Sequence, residues 1–313
     1  MTDSSSPDMT AQGSTYGIAG NRAVDDLRRY LQQHGPDEES ALLTPAQQPS
    51  PARSKAAPHG IRAHLTADVS RDKADLILLF SYLITGLLDS SATAIWGSFV
   101  SMQTGNTVFL GIGLADPYSS LHSPSSRWIR ALLSIAGFCF GAFAFARLHA
   151  ALSPRTGRTR WVLAAGAALQ FLCVLVAAVI VTLTPDPRAG AGAVGAGHWH
   201  VLVPIAVVSF QASGQASVSR ALQYGSLTSV VLTSIYANLF ADPHLLALAN
   251  ADRNRRVAAP LLLLVGALVG GLWARSEVGM MGALWTAAGL KLCVVLTWLL
   301  WKAEGESEGV VEA

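Results

Sequence analysis

Two ionisable side chains fall deep inside apolar stretches of the sequence, Asp89 in "GLLDSS" and Lys291 in "AAGLKLCVV". Ionisable groups are costly at membrane depth and commonly mark function there. A carboxylate can bind a proton or a cation, and an ion pair with Lys291 would ease both burial costs. We therefore predict Asp89 as a proton- or cation-binding group, with Lys291 as its partner. In a purely structural alternative, Asp89 caps a helix resumed at Ser90 and Ser91, and Lys291 snorkels to the membrane edge.

A polar, glycine-containing stretch follows Asp89 at the same depth, "SMQTGNTVFLG" over residues 101–111. We expect the helix to break at Gly105. A break frees backbone groups, which hydrocarbon tolerates only where they are buried in protein or line a wet cavity. The side chains of Gln103, Thr104 and Asn106 are then candidates to bind a solute or ion. Alternatively, they cap the two half-helices and join neighbouring helices by hydrogen bonds.

The second half of the chain carries its own polar stripe in "SFQASGQASVSR". Gln211, Gln215 and Ser219 recur every four residues and so share one helix face. Packing through small residues is the alternative for this segment, because Ser209, Ser213 and Ser217 form an adjacent small-residue stripe. The pairs Gly137-x-x-x-Gly141 and Gly266-x-x-x-Gly270 we read as packing only.

The elements that must position these residues are membrane helices. Of the 313 residues, 51% are hydrophobic and only 13% are charged, against about 25% charged in a typical soluble domain. The pattern predicts an all-α, polytopic helical membrane protein, because spanning strands would alternate in segments of about ten residues. The apolar stretches are 76–97, 98–115, 128–150, 160–184, 201–222, 225–241, 257–275 and 280–301.

Two of those stretches, 98–115 and 225–241, are short and polar, whereas a helix needs about 20 apolar residues to cross. We expect each to share one net crossing with the stretch before it, which gives about six crossings. Lys and Arg in short loops mark the cytoplasmic side. With six crossings, the basic loops around 147–160 and 242–256 and both chain termini fall on that side.

The segment pattern repeats with a shift of 126 residues. The shift places the possible repeat 76–184 over the possible repeat 201–302, with an overshoot in the last segment, and superposes Asp89 on Gln215 and Thr107 on Thr233. Three crossings per half is an odd number, so the halves would be inverted relative to each other. Inverted repeats with broken or re-entrant helices are typical of secondary transporters.

The predicted membrane domain, 76–302, lies between two polar tails. Residues 1–75 are rich in Ser, Pro, Gln and charge, and residues 303–313 are acidic. The first tail lacks the apolar core needed to offset chain entropy, so we expect a disordered cytoplasmic tail. It has no hydrophobic segment of a secretory signal and carries acids unlike a mitochondrial transit peptide. We expect a multi-pass protein, in the plasma membrane by preference.

The sequence lacks the motifs of several function classes. Zinc spacings, phosphate-binding loops, dinucleotide fingerprints and nucleophile elbows are missing, so we predict no cofactor, no metal site and no catalytic residue. An intramembrane enzyme is the least favoured class, since Asp89 has no nearby His. The basic residues form no cluster suited to nucleic acid. The expected partners are the lipid bilayer and a small solute or ion, and self-association into a homo-oligomer is left open.

The segment "GLLDSSATAIWGSFVSMQTGNTVFLGIGLA" resembles the first signature of the YoaK-like family of uncharacterised integral membrane proteins. Its elements are Gly86 with Asp89, Phe99 with Val100, and Thr104-Gly105-Asn106. In the second half, Gly214-Gln215-Ala216 and Thr233-Ser234 are similar to the second signature, although no Asn follows Gln215 and Ser234 replaces a glycine. The resemblance covers about residues 75–302 and implies a helical domain of about six spans with no established activity.

The leading hypothesis from the sequence is a transporter or channel-like permease for a small solute or ion, coupled to protons through Asp89. The alternative is a non-catalytic membrane scaffold or regulatory protein that works through its N-terminal tail. For the transporter, the candidate binding residues are Asp89, Ser90, Gln103, Thr104, Gly105, Asn106, Gln211, Gln215, Thr233 and Lys291.

Overall fold

A computed structural model describes residues 61–71, 73–115, 127–153, 158–184, 199–224, 227–247 and 249–302. This part of the chain forms nine α-helices and no named strand. The helices are α1 (Ile61–Thr66), α2 (Asp75–Trp96), α3 (Gln103–Ala115), α4 (Arg127–Leu152), α5 (Arg160–Leu183), α6 (Trp199–Ala221), α7 (Thr233–Phe240), α8 (Ala251–Arg275) and α9 (Gly279–Leu300).

Six of these helices are long and apolar enough to cross a membrane: α2, α4, α5, α6, α8 and α9. They have 22 to 26 residues each, which matches the length needed to span the hydrocarbon core. The helices α3 and α7 have 13 and 8 residues, too few to cross alone. The predicted all-helical membrane architecture with six crossings is confirmed.

The spanning helices pack in pairs. The most extensive contacts join α2 to α8, α4 to α6, and α5 to α9. Further contacts join α5 to α6 and α9 to α2, while α3 lies on α4 and α7 lies on α8. Outward-facing residues are large and apolar, for example Phe140 and Leu268, as expected for helices whose outer faces meet lipid tails.

Glycines allow two of these pairs to approach closely. A Cβ on Gly137 would lie 2.6 Å from the carbonyl oxygen of Ala206 in α6. A Cβ on Gly266 would overlap the carbonyl oxygen of Leu83 in α2, and Gly141 and Gly270 meet backbone in the same way. The packing role predicted for both glycine pairs is confirmed, since only glycine lets the backbones come this near.

Packed structure is present N-terminal to the predicted boundary at residue 76, in residues 61–71. The helix α1 lies against α5, and the Val69 amide donates to the Arg158 carbonyl at 3.1 Å. The guanidinium of Arg160 donates to the carbonyls of His64 and Trp301. Residues 61–71 are thus fastened to the beginning of α5 and the end of α9. The rest of the predicted tail, 1–60, and the acidic tail, 303–313, lie outside the described residues.

An irregular segment, residues 97–102, separates α2 from α3. Gly97 ends α2 in the left-handed conformation, with φ of 72° and its amide bonded to the Thr93 carbonyl, a common helix terminus for glycine. The predicted break at Gly105 is wrong, because α3 runs through that residue. Gly105 instead leaves room for the Phe99 ring, whose Cε2 would lie 2.6 Å from an added Cβ.

The second half contains a matching irregular segment between α6 and α7, described at residues 222–224 and 227–232. Gln223 and Ser229 take left-handed backbone conformations there, with φ of 63° and 59°. Such angles are uncommon for residues other than glycine. The second half therefore also has an irregular segment between two helices, even though Ser234 replaces the glycine of the YoaK-like signature.

Candidate functional site

Asp89 lies on α2 two turns before the helix ends, and its side chain is 3% exposed. One carboxyl oxygen, Oδ1, accepts hydrogen bonds from the amides of Val100 (2.7 Å) and Ser101 (2.8 Å). The Ser101 hydroxyl and the Met102 amide also face this carboxyl group. Asp89 therefore binds the irregular segment that leads into α3, in the manner of a helix cap reached from a neighbouring helix.

Asn106 holds the other side of the same segment and is fully buried. Its Oδ1 accepts from the Phe99 amide and the Ser98 hydroxyl, each at 3.0 Å. Its Nδ2 donates to the Phe99 carbonyl at 2.8 Å and to Gln103 Oε1 at 2.8 Å. These bonds pair the amide and the carbonyl of Phe99, two of the backbone groups freed by the interruption, as a buried break requires.

This first polar cluster extends across the bundle through two serines. The Asn106 Nδ2 also donates to the Ser134 hydroxyl of α4 at 2.9 Å. Ser134 meets the Ser209 hydroxyl of α6 at 2.8 Å. Buried side-chain bonds of this kind join helices in membranes, so the cluster links α2, α3, α4 and α6.

A second polar cluster surrounds Gln215 of α6. Its Oε1 accepts from the Thr85 hydroxyl of α2 at 3.0 Å and from the Ser229 hydroxyl at 2.9 Å. Ser229 belongs to the second irregular segment, just before α7. Gln215 therefore binds the segment before α7, just as Asp89 binds the segment before α3. Gln215 does so with a neutral amide, whereas Asp89 uses a carboxyl group.

Lys291 forms a third polar cluster, with Gln170 of α5. Its Nζ donates to Gln170 Oε1 at 2.6 Å, and the side chain is 2% exposed. The predicted ion pair with Asp89 is wrong. Among the described residues no ion pair involves either group, because Asp89 is engaged by backbone amides and Lys291 faces α5.

The helix α6 is common to all three clusters. It contributes Ser209 to the first cluster and Gln215 to the second, and Gly214 packs against the third. A Cβ on Gly214 would lie 2.8 Å from Gln170 Nε2. One turn before Gly214 lies Gln211, 1% exposed, whose Oε1 accepts no hydrogen bond from the described part of the chain. A buried carbonyl oxygen without a donor is costly.

The ten predicted site residues do not form one site. Asp89, Gln103, Gly105 and Asn106 lie together around residues 97–106, while Gln211, Gln215 and Lys291 lie along or beside α6. Ser90 faces Gly270 of α8, and its hydroxyl donates to the Leu87 carbonyl at 3.3 Å. Thr104 and Thr233 are exposed on α3 and α7.

Several residues of these clusters escaped the sequence reasoning. Gln170 stands alone in the apolar run "AALQFLCVL", a signal of the same kind as Lys291. Thr85 and Ser134 look like ordinary small polar residues of membrane helices. Arg130 donates to the Trp96 carbonyl at 2.8 Å and so binds the end of α2.

Fold and clusters together define a six-span helical membrane protein with polar groups buried between its helices. The family model described as "Protein of unknown function (DUF1275)" matches residues 77–297, so the chain belongs to that uncharacterised family. The match covers all six spanning helices almost entirely. Neither a search of curated proteins nor a search of solved structures finds a match to this chain.

Proposed function

We propose that this protein is a membrane transporter for a small solute, and that the solute passes along α6. The observation that carries the proposal is Gln211, a glutamine buried at membrane depth whose carbonyl oxygen accepts no hydrogen bond from the described residues. It lies between Ser209 and Gln215, on the helix toward which polar side chains of α2, α4 and α5 converge. A transported solute or its water would supply the missing donor.

The helix contacts support a two-fold inverted repeat, which is the second part of the proposal. Let α2, α3, α4 and α5 correspond to α6, α7, α8 and α9. The contact of α2 with α8 then corresponds to that of α6 with α4, and α3 on α4 to α7 on α8. The contact of α5 with α6 corresponds likewise to that of α9 with α2. Binding between such repeats, beside interrupted helices, is the arrangement of many secondary transporters.

We further propose that the end of the bundle formed by residues 61–75 faces the cytoplasm. Arg255 at the beginning of α8 pairs with Asp75 at the beginning of α2 at 2.7 Å, so both helices begin at this end. The end also carries Arg71, Lys73, Arg158, Arg160, Arg253, Arg256 and Lys302. Positive charge in short loops favours the cytoplasmic side, and a plasma membrane location fits this bias.

The narrower relationship to the YoaK-like group rests on residues whose roles the fold makes understandable. Asp89 and Asn106 bind the segment that carries Phe99 and Val100, and Gly105 accommodates Phe99. The signature therefore encodes one structural unit, the re-entry from α2 into α3. This favours a supporting role for Asp89 over direct solute contact.

Solute entry can be tested without knowing the solute. Proteoliposomes are shrunk in concentrated solutions of sugars, polyols, amino acids and organic acids, and their re-swelling is followed by light scattering. We expect at least one class of solute to enter faster than into protein-free vesicles. Gln211→Leu should abolish the difference, because it removes the unused acceptor. Thr233→Val, at an exposed position on α7, is the matched control and should transport normally.

Re-swelling at the protein-free rate for every solute would contradict the proposal and favour the scaffold. Equal re-swelling by Gln211→Leu and the wild type would show a path that does not follow α6.

A further inference from the structure

We infer that Lys291, Gln170 and Gln211 form the solute site, and that the solute is a small organic acid with a hydroxyl or amino group beside its carboxylate. The inference rests on the proposed function and names its substrate class. Three polar groups carry it, on α9, α5 and α6.

The first step concerns the charge of Lys291. Its ammonium group has three N–H donors, and Gln170 Oε1 is the one hydrogen-bond acceptor recorded for it. The thiol of Cys173, one turn further along α5, is the other polar neighbour. No carboxylate of the described residues pairs with Lys291. A buried cation without a counter-ion is unfavourable, and a bound anion removes that cost.

The second step concerns the geometry of the donors. Gln170 turns its carbonyl oxygen to Lys291, while its Nε2 lies against Gly214 of α6. In the proposed site, the ammonium group and this amide both donate to one carboxylate. Such charge-assisted hydrogen bonds are stronger than neutral ones.

The third step adds Gln211. It precedes Gly214 by one turn on the same face of α6, about 4.5 Å along the helix axis. Its unused Oε1 is an acceptor, so it selects a ligand that brings its own donor. A hydroxyl or amino group next to the carboxylate lies within that distance.

The surrounding residues limit the size of the ligand. Ala287 and Ala288 precede Lys291 on the buried face of α9, and Ala167 precedes Gln170 on the buried face of α5. Small residues bring helices close together, so a ligand between them must be small, and we expect an acid of two or three carbons. We expect it to carry one negative charge, to match the single positive charge of Lys291.

The test uses the purified full-length protein in detergent, with thermal unfolding measured in sodium glycolate, acetate and sulfate at equal ionic strength. A ligand that binds the folded state raises Tm by mass action. We expect glycolate to raise Tm most and acetate less, with sulfate giving no specific rise. Lys291→Met should weaken apparent glycolate binding by roughly tenfold or more.

Lys302→Met is the matched control, because Lys302 is exposed just beyond the end of the same helix. It should keep the wild-type response. Gln211→Leu should reduce the glycolate response to the acetate level. If Lys291→Met fails to fold, Lys291→Gln replaces it, with the same expected loss.

Two results would overturn the inference: a glycolate response unchanged by the Lys291 variants, or no difference between glycolate and sulfate in the wild type. Either result leaves the transporter proposal standing if vesicle re-swelling still depends on Gln211. Re-swelling that is independent of the protein, together with intact glycolate binding, would instead reject transport and keep the binding site.

Discussion

Asp89 is a structural residue of the irregular segment. Its carboxyl oxygen accepts from two consecutive amides, at 2.7 and 2.8 Å, and both amides would otherwise be unpaired between α2 and α3. Hydrogen bonds to a charged group contribute more than neutral ones, roughly 1.5–3 kcal/mol each. A weaker acceptor at position 89 would therefore destabilise the conformation of residues 97–102.

We expect Asp89→Asn to lower the free energy of unfolding by about 1–3 kcal/mol, because a neutral amide accepts these bonds less strongly. Adding Lys291→Met should not relieve the loss. Since the two groups share no partner, the effects should add within about 0.5 kcal/mol. Denaturation of the single and double variants in mild detergent checks this. If the double variant is more stable than Asp89→Asn by several kcal/mol, the hypothesis of an ion pair between Asp89 and Lys291 would have to be accepted after all.

The sequence was informative about which polar residues are buried and much less so about their partners. Asp89 and Lys291 stand out from apolar surroundings, while Asn106, Gln211 and Gln215 lie in polar stretches, and all five are buried. Their partners depend on the route of the irregular segments and on helix neighbours distant in sequence. Charge complementarity suggested a bond between Asp89 and Lys291, but backbone amides 11 and 12 residues further on satisfy Asp89.

At the scale of elements, the six long helices were predictable because hydrophobic length alone decides which segments can span. The position of the first break was not predictable in this way. It was expected at Gly105 but lies at residues 97–102, because Gly105 serves side-chain packing and α3 continues through it. The packing of residues 61–71 against the helix bundle was also not predicted. These residues attach to the bundle through backbone carbonyls, which every residue has and which leave no sequence pattern. Their buried apolar contact is Val69 alone among residues 64–71.

Two truncations test that attachment. Deleting residues 1–60 should leave the stability of the membrane domain unchanged. Deleting residues 1–70 should lower it measurably, because Arg160 loses the His64 carbonyl and the Arg158 carbonyl loses the Val69 amide. Thermal unfolding of both purified variants beside the full chain is the measurement. Equal Tm values for the two truncations would show that residues 61–70 contribute nothing.

At the scale of the whole molecule, the two halves of the proposed repeat carry different polar groups. Asp89 and Gln215 both bind the segment before a short helix, one with a carboxyl group and one with an amide. Lys291 lies on α9, and its partner Gln170 on the corresponding helix of the first half. If the proposed repeat is correct, this difference predicts one solute site and not two equivalent ones.

Orientation is a prediction at this scale. In a cysteine-free background, Leu246→Cys lies in the exposed loop before α8, and Glu277→Cys in the exposed loop before α9. An impermeant thiol reagent should label the first from the cytoplasmic side only and the second from the opposite side only. The reverse pattern would invert the proposed topology, and labelling of both positions from one side would reject an odd number of crossings between them.

The central claim, that solute moves along α6, is tested most directly by access of water-borne reagent to position 211. Gln211→Cys is made with Cys139, Cys173 and Cys293 replaced by Ala, and small polar methanethiosulfonates are applied to oriented membranes from each side in turn. Phe140→Cys, on the lipid-facing surface of α4, is the matched control and should stay unlabelled. The account predicts labelling of position 211 from both sides, because a transporter must open this buried residue to each solution in turn. Protection of position 211 from both sides, at the level of position 140, would contradict it and leave a closed helical bundle.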